Sequence, residues 1–157
     1  MTDRAHLEGL IAADVRALSA ESEQVGRSFA GLHDLTATDF RALLHILVAD
    51  DGGTPLTAGD LRNRMGLSGA AITYLVERMI ESGHIRRESD PADRRKVILR
   101  YDEPGMSVAR AFFTPLAHHT HTALAELHDD DLEAAHRVFA ALIDAMRAFQ
   151  GGLVNPG

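Results

Sequence analysis

The sequence predicts a mainly α-helical fold with one small β-hairpin, and three observations lead there. Six segments repeat apolar residues at three- and four-residue spacing, the period of a helix with one buried face. Between residues 57 and 83 two of them are short and separated only by Gly66-Leu67-Ser68, too close to lie side by side, so they must cross steeply. The period then shortens to two for residues 85–88 and 96–101, around a turn-rich, basic tip.

Taken in order, residues 4–30 form a first helix with Leu7, Leu10, Ile11, Val15, Leu18, Val25 and Phe29 near heptad spacing, and Gly31 is expected to end it. Thr36 opens the second, with Asp39 three residues on in a capping-box arrangement and Phe40, Leu43, Leu44, Leu47 and Val48 as its buried face. Residues 50–55 close it as a loop. Thr57 and Asp60 repeat the capping pattern for the third helix, where Leu61 and Met65 share a face and Gly66 is the stop. Ser68 caps the fourth, whose stripe is Ile72, Leu75, Val76, Met79 and Ile80, and Gly83 ends it. Ile85–Glu88 and Lys96–Tyr101 are the two strands, with Val97, Leu99 and Tyr101 on one side of the second and Ile98 and Arg100 on the other. Asp102 caps a fifth helix that carries Met106, Ala109, Phe112, Phe113, Leu116, Ala123, Leu124 and Leu127 inward and contains Pro115, where a kink is expected. After 128–131, Asp130 and Glu133 cap a last helix bearing Leu132, Ala135, Val138, Phe139, Leu142, Ile143, Met146 and Phe149, and Gly151-Gly152 ends it.

With 157 residues and 45% apolar content, the chain suits a single domain able to bury a core. No apolar run reaches 18 residues and the start is not basic-then-apolar, so a cytoplasmic protein without a membrane partner is expected. Cysteine is absent, which excludes disulfides and thiol-based sensing. The net charge of −7 is unevenly spread: residues 57–100 hold nine Lys/Arg against six Asp/Glu, and the remainder seven against 17. A basic module on an acidic body concentrates phosphate attraction on one face.

Asp90-Pro91-Ala92-Asp93-Arg94-Arg95-Lys96-Val97, preceded by Glu81-Ser82-Gly83-His84-Ile85-Arg86-Arg87, resembles the wing signature of the MarR family of winged-helix transcriptional regulators. The likeness extends upstream through the helix pair to Leu35-Thr36-Ala37-Thr38-Asp39-Phe40 and covers roughly residues 32–105. Tyr74 stands where the family often has a basic residue, and Tyr101-Asp102-Glu103-Pro104-Gly105 replaces its usual exit from the wing. The resemblance implies one domain over 1–157, with 32–102 as the winged helix-turn-helix and 1–31 and 103–151 as dimerisation helices. The apolar stripes of the terminal helices, more than a module of that size can cover, point the same way.

A two-fold dimer would set two recognition helices about one DNA turn apart, over a pseudo-palindrome with half-sites about 10 bp between centres. Ser68, Gly69, Ala70, Thr73 and Tyr74 occupy the first turns of the fourth helix, where base edges are nearest. Thr73 can donate, accept or offer its methyl, and Arg78 suits a phosphate better than a base. Arg94 and Arg95 at the hairpin tip suit a narrow minor groove, Lys96 adds a third cation, and the resemblance implies that Asp93 orients Arg95.

It further implies a repressor released by a small, often aromatic ligand, with Phe29, Phe40, Leu44, His45, Phe112 and Phe113 as candidate pocket residues. His118, His119 and His121 cluster on the fifth helix; His118 and His121 share a side and could take a metal with His128 or Glu126, or sense protons. No zinc-type spacing backs that alternative, and no cofactor is expected. A phosphate-binding glycine loop and a Gly-x-Ser-x-Gly elbow are both missing, so an enzyme is not expected. A winged helix used for protein contacts without specific DNA binding is the other alternative, motivated by Tyr74 and the acidic body.

Overall fold

The computed structural model describes residues 3–154. Their order is α1 (Arg4–Leu32), α2 (Ala37–Asp51), α3 (Ala58–Met65), α4 (Gly69–Glu81), β1 (Ile85–Ser89), β2 (Val97–Tyr101), α5 (Glu103–Leu124) and α6 (Asp129–Val154). Two compact units result, one through Phe112 and the other from Phe113, the division falling within α5.

In the first unit α1 runs through Gly31, where a stop was expected. It ends when Asp34 takes a left-handed conformation at φ 54°, with the amides of His33 and Leu35 both donating to the Ala30 carbonyl. Aspartate tolerates that region better than most residues, so no glycine is required. Of the expected stripe only Phe29 is buried, beside Gly26 and Ala30, while Leu7, Leu10 and Leu18 stay about half exposed.

The capping boxes form at both expected sites. Thr36 and Asp39 exchange bonds of 2.9 and 3.1 Å at the start of α2, and Thr57 and Asp60 bonds of 3.0 and 3.1 Å at the start of α3. The buried face of α2 is instead Asp39, Ala42, Leu43, Ile46 and Ala49, whereas Leu44 and Val48 lie exposed. Side-chain size misled the expectation: the small Ala42 and Ala49 sit where elements approach most closely, and larger residues one step around the helix face outward. α2 also runs to Asp51, past the point at which its closing loop was expected.

α3 and α4 match their expected limits. Gly66 caps α3 at φ 64°, a left-handed position that suits glycine. Leu61, Ile72, Leu75, Val76 and Met79 join Leu43, Ile46, Leu56, Ile85 and Leu99 in one core. β1 and β2 pair antiparallel, Ile85 opposite Tyr101 and Ser89 opposite Val97. β2 departs from simple alternation, because Ile98 and Leu99 are both buried. The loop before α3 pairs with the edge of β2 that β1 leaves open: Thr57 bridges to Ile98, and the Leu99 amide donates to the Leu56 carbonyl at 2.8 Å. Asp102 leads into α5 by accepting from the Glu103 amide at 3.0 Å, and the Gly105 amide donates to the Gly83 carbonyl at 2.9 Å. A Cβ on Gly105 would lie 2.6 Å from the His84 Cα, so only glycine lets α5 leave the hairpin this close.

The second unit holds the rest of α5, continuous through Pro115, and α6. α6 starts at Asp129 and continues through Gly151 and Gly152 to Val154, so neither the expected cap at Asp130 nor the expected stop applies. Leu116, Leu124 and Leu127, expected inside, are exposed, as are Val138, Phe139, Ile143, Met146 and Phe149. Their periodicity is real, but the described residues cover them only in part. Among the described residues no helix is long and apolar enough to cross a membrane.

Candidate nucleic-acid interface

The turn between α3 and α4 is locked from three directions. The Leu67 amide donates to the Arg62 carbonyl, Arg62 Nε donates back to the Leu67 carbonyl at 3.2 Å, and the Ser68 hydroxyl accepts from the Ala71 amide at 3.1 Å. The face of α4 away from the core therefore presents Gly69, Ala70, Thr73, Tyr74, Glu77 and Glu81 to solvent. Its first half is small and neutral; its second half carries carboxylates, so only the N-terminal turns can approach a polyanion closely.

The Thr73 hydroxyl already donates to the Gly69 carbonyl at 2.9 Å, which leaves its lone pairs and methyl for a ligand. Arg78 is not the free phosphate contact expected from its position. Its guanidinium pairs with the buried carboxylate of Asp39 and lies over the Tyr74 ring, 5.0 Å from the centroid. Burial works against that charge, but the contacts with Tyr74 and Asp39 outweigh it and hold Arg78 above its ordinary pKa.

The hairpin tip is built by backbone bonds. Asp90 donates through its amide to the Lys96 carbonyl at 3.0 Å, and the Lys96 amide donates to the Asp93 carbonyl at 2.9 Å. The Asp90 carboxylate accepts from the Ala92 amide, and that of Asp93 from the Arg95 amide at 3.1 Å. Asp93 thus shapes the turn that carries Arg95 through its backbone, where a contact with the side chain was expected.

Most cations behind the tip are neutralised. Arg86 pairs with Glu88, Arg87 with Glu77 on α4 at 2.6 Å, and Arg100 with Asp50. Arg64, Arg94, Arg95 and Lys96 have no ion-pair partner among the described residues. The Asp60 carboxyl is held below its usual pKa, chiefly by the hydrogen bond from the Thr57 amide, with Lys96 and Arg64 contributing through space. Arg64 went unnoticed in the sequence except as a charge. It lies exposed on α3.

The candidate pocket residues do not form one group. Phe29 packs against Phe40 and Phe112, with centroids 5.7 and 5.1 Å away, and against His33 at 4.7 Å. Leu44, one turn beyond Phe40 on α2, is exposed, His45 is half-buried with its pKa lowered by burial and then by Arg64 and Arg41, and Phe113 lines a cleft of the second unit with Leu116, His121 and Leu132. A separate cleft in the first unit is lined by His33, Leu35, Arg78, His84 and Gly105, and none of the six candidates borders it. His118 and His119 have ring centroids 6.5 Å apart. Among the described residues no three His, Asp or Glu side chains gather as a metal site requires.

Known proteins sharpen this picture. A model of the MarR family matches residues 33–96, from the end of α1 to the wing tip. The HTH-type transcriptional regulator YcgE of Bacillus subtilis is 33% identical over 92 residues, 59% of this chain and 60% of that protein. The chain thus spans less than two thirds of the relative's length. Among solved structures, a MarR family protein from Bacillus stearothermophilus superposes with a TM-score of 0.63 at 23% identity, covering 93% of this chain and 99% of that one. The S. aureus MepR–DNA complex superposes with a TM-score of 0.52 at 18% identity, covering 83% and 96%. Helix pair, locked turn and wing tip lie inside the segment that the MarR family model matches, and the likeness to the solved MarR family structure is one of fold.

Proposed function

We propose that this protein is a homodimeric transcriptional regulator that binds a pseudo-palindromic duplex, laying the first turns of α4 in the major groove and the wing tip in the adjacent minor groove. One observation carries the reading: the side chains of Arg94, Arg95 and Lys96 at the tip have no ion-pair partner among the described residues, while the cations behind them are paired. A cation left unpaired on an exposed turn is ready for phosphate and releases counterions when it finds one. The relative named a transcriptional regulator and the MepR–DNA complex of the same fold support the partner class.

The domain assignment follows: residues 32–102 bind DNA, and the terminal helices join two copies through faces that are exposed in one chain. Release of DNA by a small ligand fits the same family, and a ligand needs only about 1 to 3 kcal/mol of preference for the non-binding geometry to weaken affinity 5- to 150-fold.

The test is binding of the full chain to duplexes selected from a random pool, measured against salt. With about three or four phosphates neutralised per subunit, the logarithmic slope should be about −5 to −7 for the dimer. Arg94→Ala and Arg95→Ala should each weaken all sequences alike and flatten the slope. A slope near zero, or unchanged affinity in the double variant, overturns the reading.

A further inference from the structure

Asp39 caps α2, yet only one of its carboxylate oxygens serves the cap. Oδ2 accepts from the Thr36 amide at 2.9 Å, and Oδ1 accepts from Arg78, 39 positions further along the chain. The carboxylate is 1% exposed, so the pair is shielded from water on the acidic side, and the guanidinium reaches it from α4. The same guanidinium covers the ring of Tyr74, one turn earlier on α4, which is 67% exposed and shares the outward face with Ala70 and Thr73.

A tyrosine on an exposed helix face ordinarily samples several rotamers and loses that freedom on binding. Here a planar cation lies against one face of the ring and is itself held by a buried anion, so one rotamer is favoured before any DNA arrives. Holding a contact in its bound geometry in advance improves discrimination, because the wrong partner cannot be met by a rearranged side chain. The ring offers mainly apolar surface, and the major-groove feature that matches it is the thymine 5-methyl.

We propose that Tyr74 is a specificity-determining contact for a thymine in each half-site, and that Asp39, acting through Arg78, is its positioning residue. This rests on the DNA-binding reading above. The relay explains why a cation on the recognition helix is turned inward, and why a tyrosine can stand where a basic residue is common. It also separates two roles on the interface: unpaired cations at the wing supply affinity, and the paired one behind Tyr74 supplies selectivity.

The test selects duplexes from a random pool with the full-length wild type, Tyr74→Ala, Arg78→Gln, Asp39→Asn and the Tyr74→Ala/Asp39→Asn pair. The wild type should show one thymine per half-site whose preference falls about 5- to 10-fold in Tyr74→Ala. Arg78→Gln and Asp39→Asn should erode preference at that same position, and the double variant should lose no more than Tyr74→Ala alone. If Asp39→Asn melts before it can be measured, Arg78→Gln, which leaves the Asp39 cap intact, decides. Unchanged preferences in Tyr74→Ala, a lost preference at a pair without thymine, or a uniform fall across sequences in the Asp39 and Arg78 variants overturns this inference alone. A wild type that selects nothing overturns the DNA-binding reading and the inference with it.

Discussion

The phenol of Tyr101 donates a 2.9 Å hydrogen bond to the carbonyl of Leu43, fastening the outgoing strand of the wing to the middle of α2. Burial first, and the nearby Asp51 charge second, raise the tyrosine pKa well above its ordinary 10.0. The folded state therefore prefers the neutral phenol more strongly than the unfolded chain does. Stability from this group is complete below pH 10 and falls as pH rises above it, because unfolding then allows ionisation. Tyr101→Phe should cost about 0.5 to 1.5 kcal/mol at neutral pH, the net worth of one hydrogen bond, and should flatten the alkaline loss. Denaturant melts between pH 8 and 11 check both. An alkaline limb that survives the substitution would show that another group is responsible.

Two glycines of α1 form a matched pair for testing close packing. A Cβ on Gly26 would sit 2.4 Å from a ring carbon of Phe40, which is itself packed on Phe29, whereas a Cβ on Gly9 meets nothing within 4 Å. Alanine should stabilise a helix interior by about 0.5 to 1 kcal/mol relative to glycine, and Gly9→Ala should show that gain. Gly26→Ala should lose stability instead, since overpacking costs about 1 to 3 kcal/mol. The helix propensity change is shared, so the difference between the two melts isolates the contact with Phe40.

This pair also shows where sequence reading succeeds and where it stops. Caps were legible because they are local: Thr36 with Asp39, Thr57 with Asp60, and Gly66 were all read within four residues, and all form. The wing was legible from its turn formers and its change of period. The face of α2 was not, because Ala42 and Ala49 owe their burial to elements far along the chain, and neither residue announces it. The inward turn of Arg78 was hidden for the same reason, its partner Asp39 having already been accounted for as a cap. Leu116 was read correctly as an apolar stripe residue but wrongly as interior, because periodicity says that a face is to be covered without saying by which chain.

Acid should weaken the fold through His84. This side chain is buried, and burial lowers its pKa below 6.5, the charge of His33 adding to the effect and that of Asp39 opposing it. The unfolded chain takes up the proton more readily, so stability is complete above pH 6.5 and declines as pH falls through the folded-state value. His45, lowered by burial and by Arg64 and Arg41, acts in the same direction. Thermal melts from pH 7.5 to 5 should therefore show a falling midpoint, and His84→Gln should remove part of the slope and leave the His45 share. A slope identical in the variant would assign the acid sensitivity elsewhere.

The exposed face of α6 leads to a prediction about assembly. Phe139, Ile143 and Met146 follow one another at four- and three-residue spacing and are 45%, 47% and 52% exposed, with Phe149 beyond them at 68%. Single apolar residues on a surface are ordinary, but a continuous stripe in contact with water is what an interface looks like with its partner removed. A second copy of the chain should cover it, and the purified protein should sediment at twice 17.0 kDa. Ile143→Asp puts a charge into the middle of that stripe without touching the helix pair or the wing, so it should shift sedimentation toward the monomer. Core melting of the first unit should be little changed, because Leu61, Met79 and Leu99 lie in a different unit from Ile143. DNA affinity should nevertheless fall steeply, since two half-sites held by one dimer become two independent and weaker encounters. Wild type sedimenting at 17.0 kDa at micromolar concentration would remove the dimer, and an Ile143→Asp monomer that binds the full site as tightly as wild type would show that the spacing between two wings is not what the operator reads.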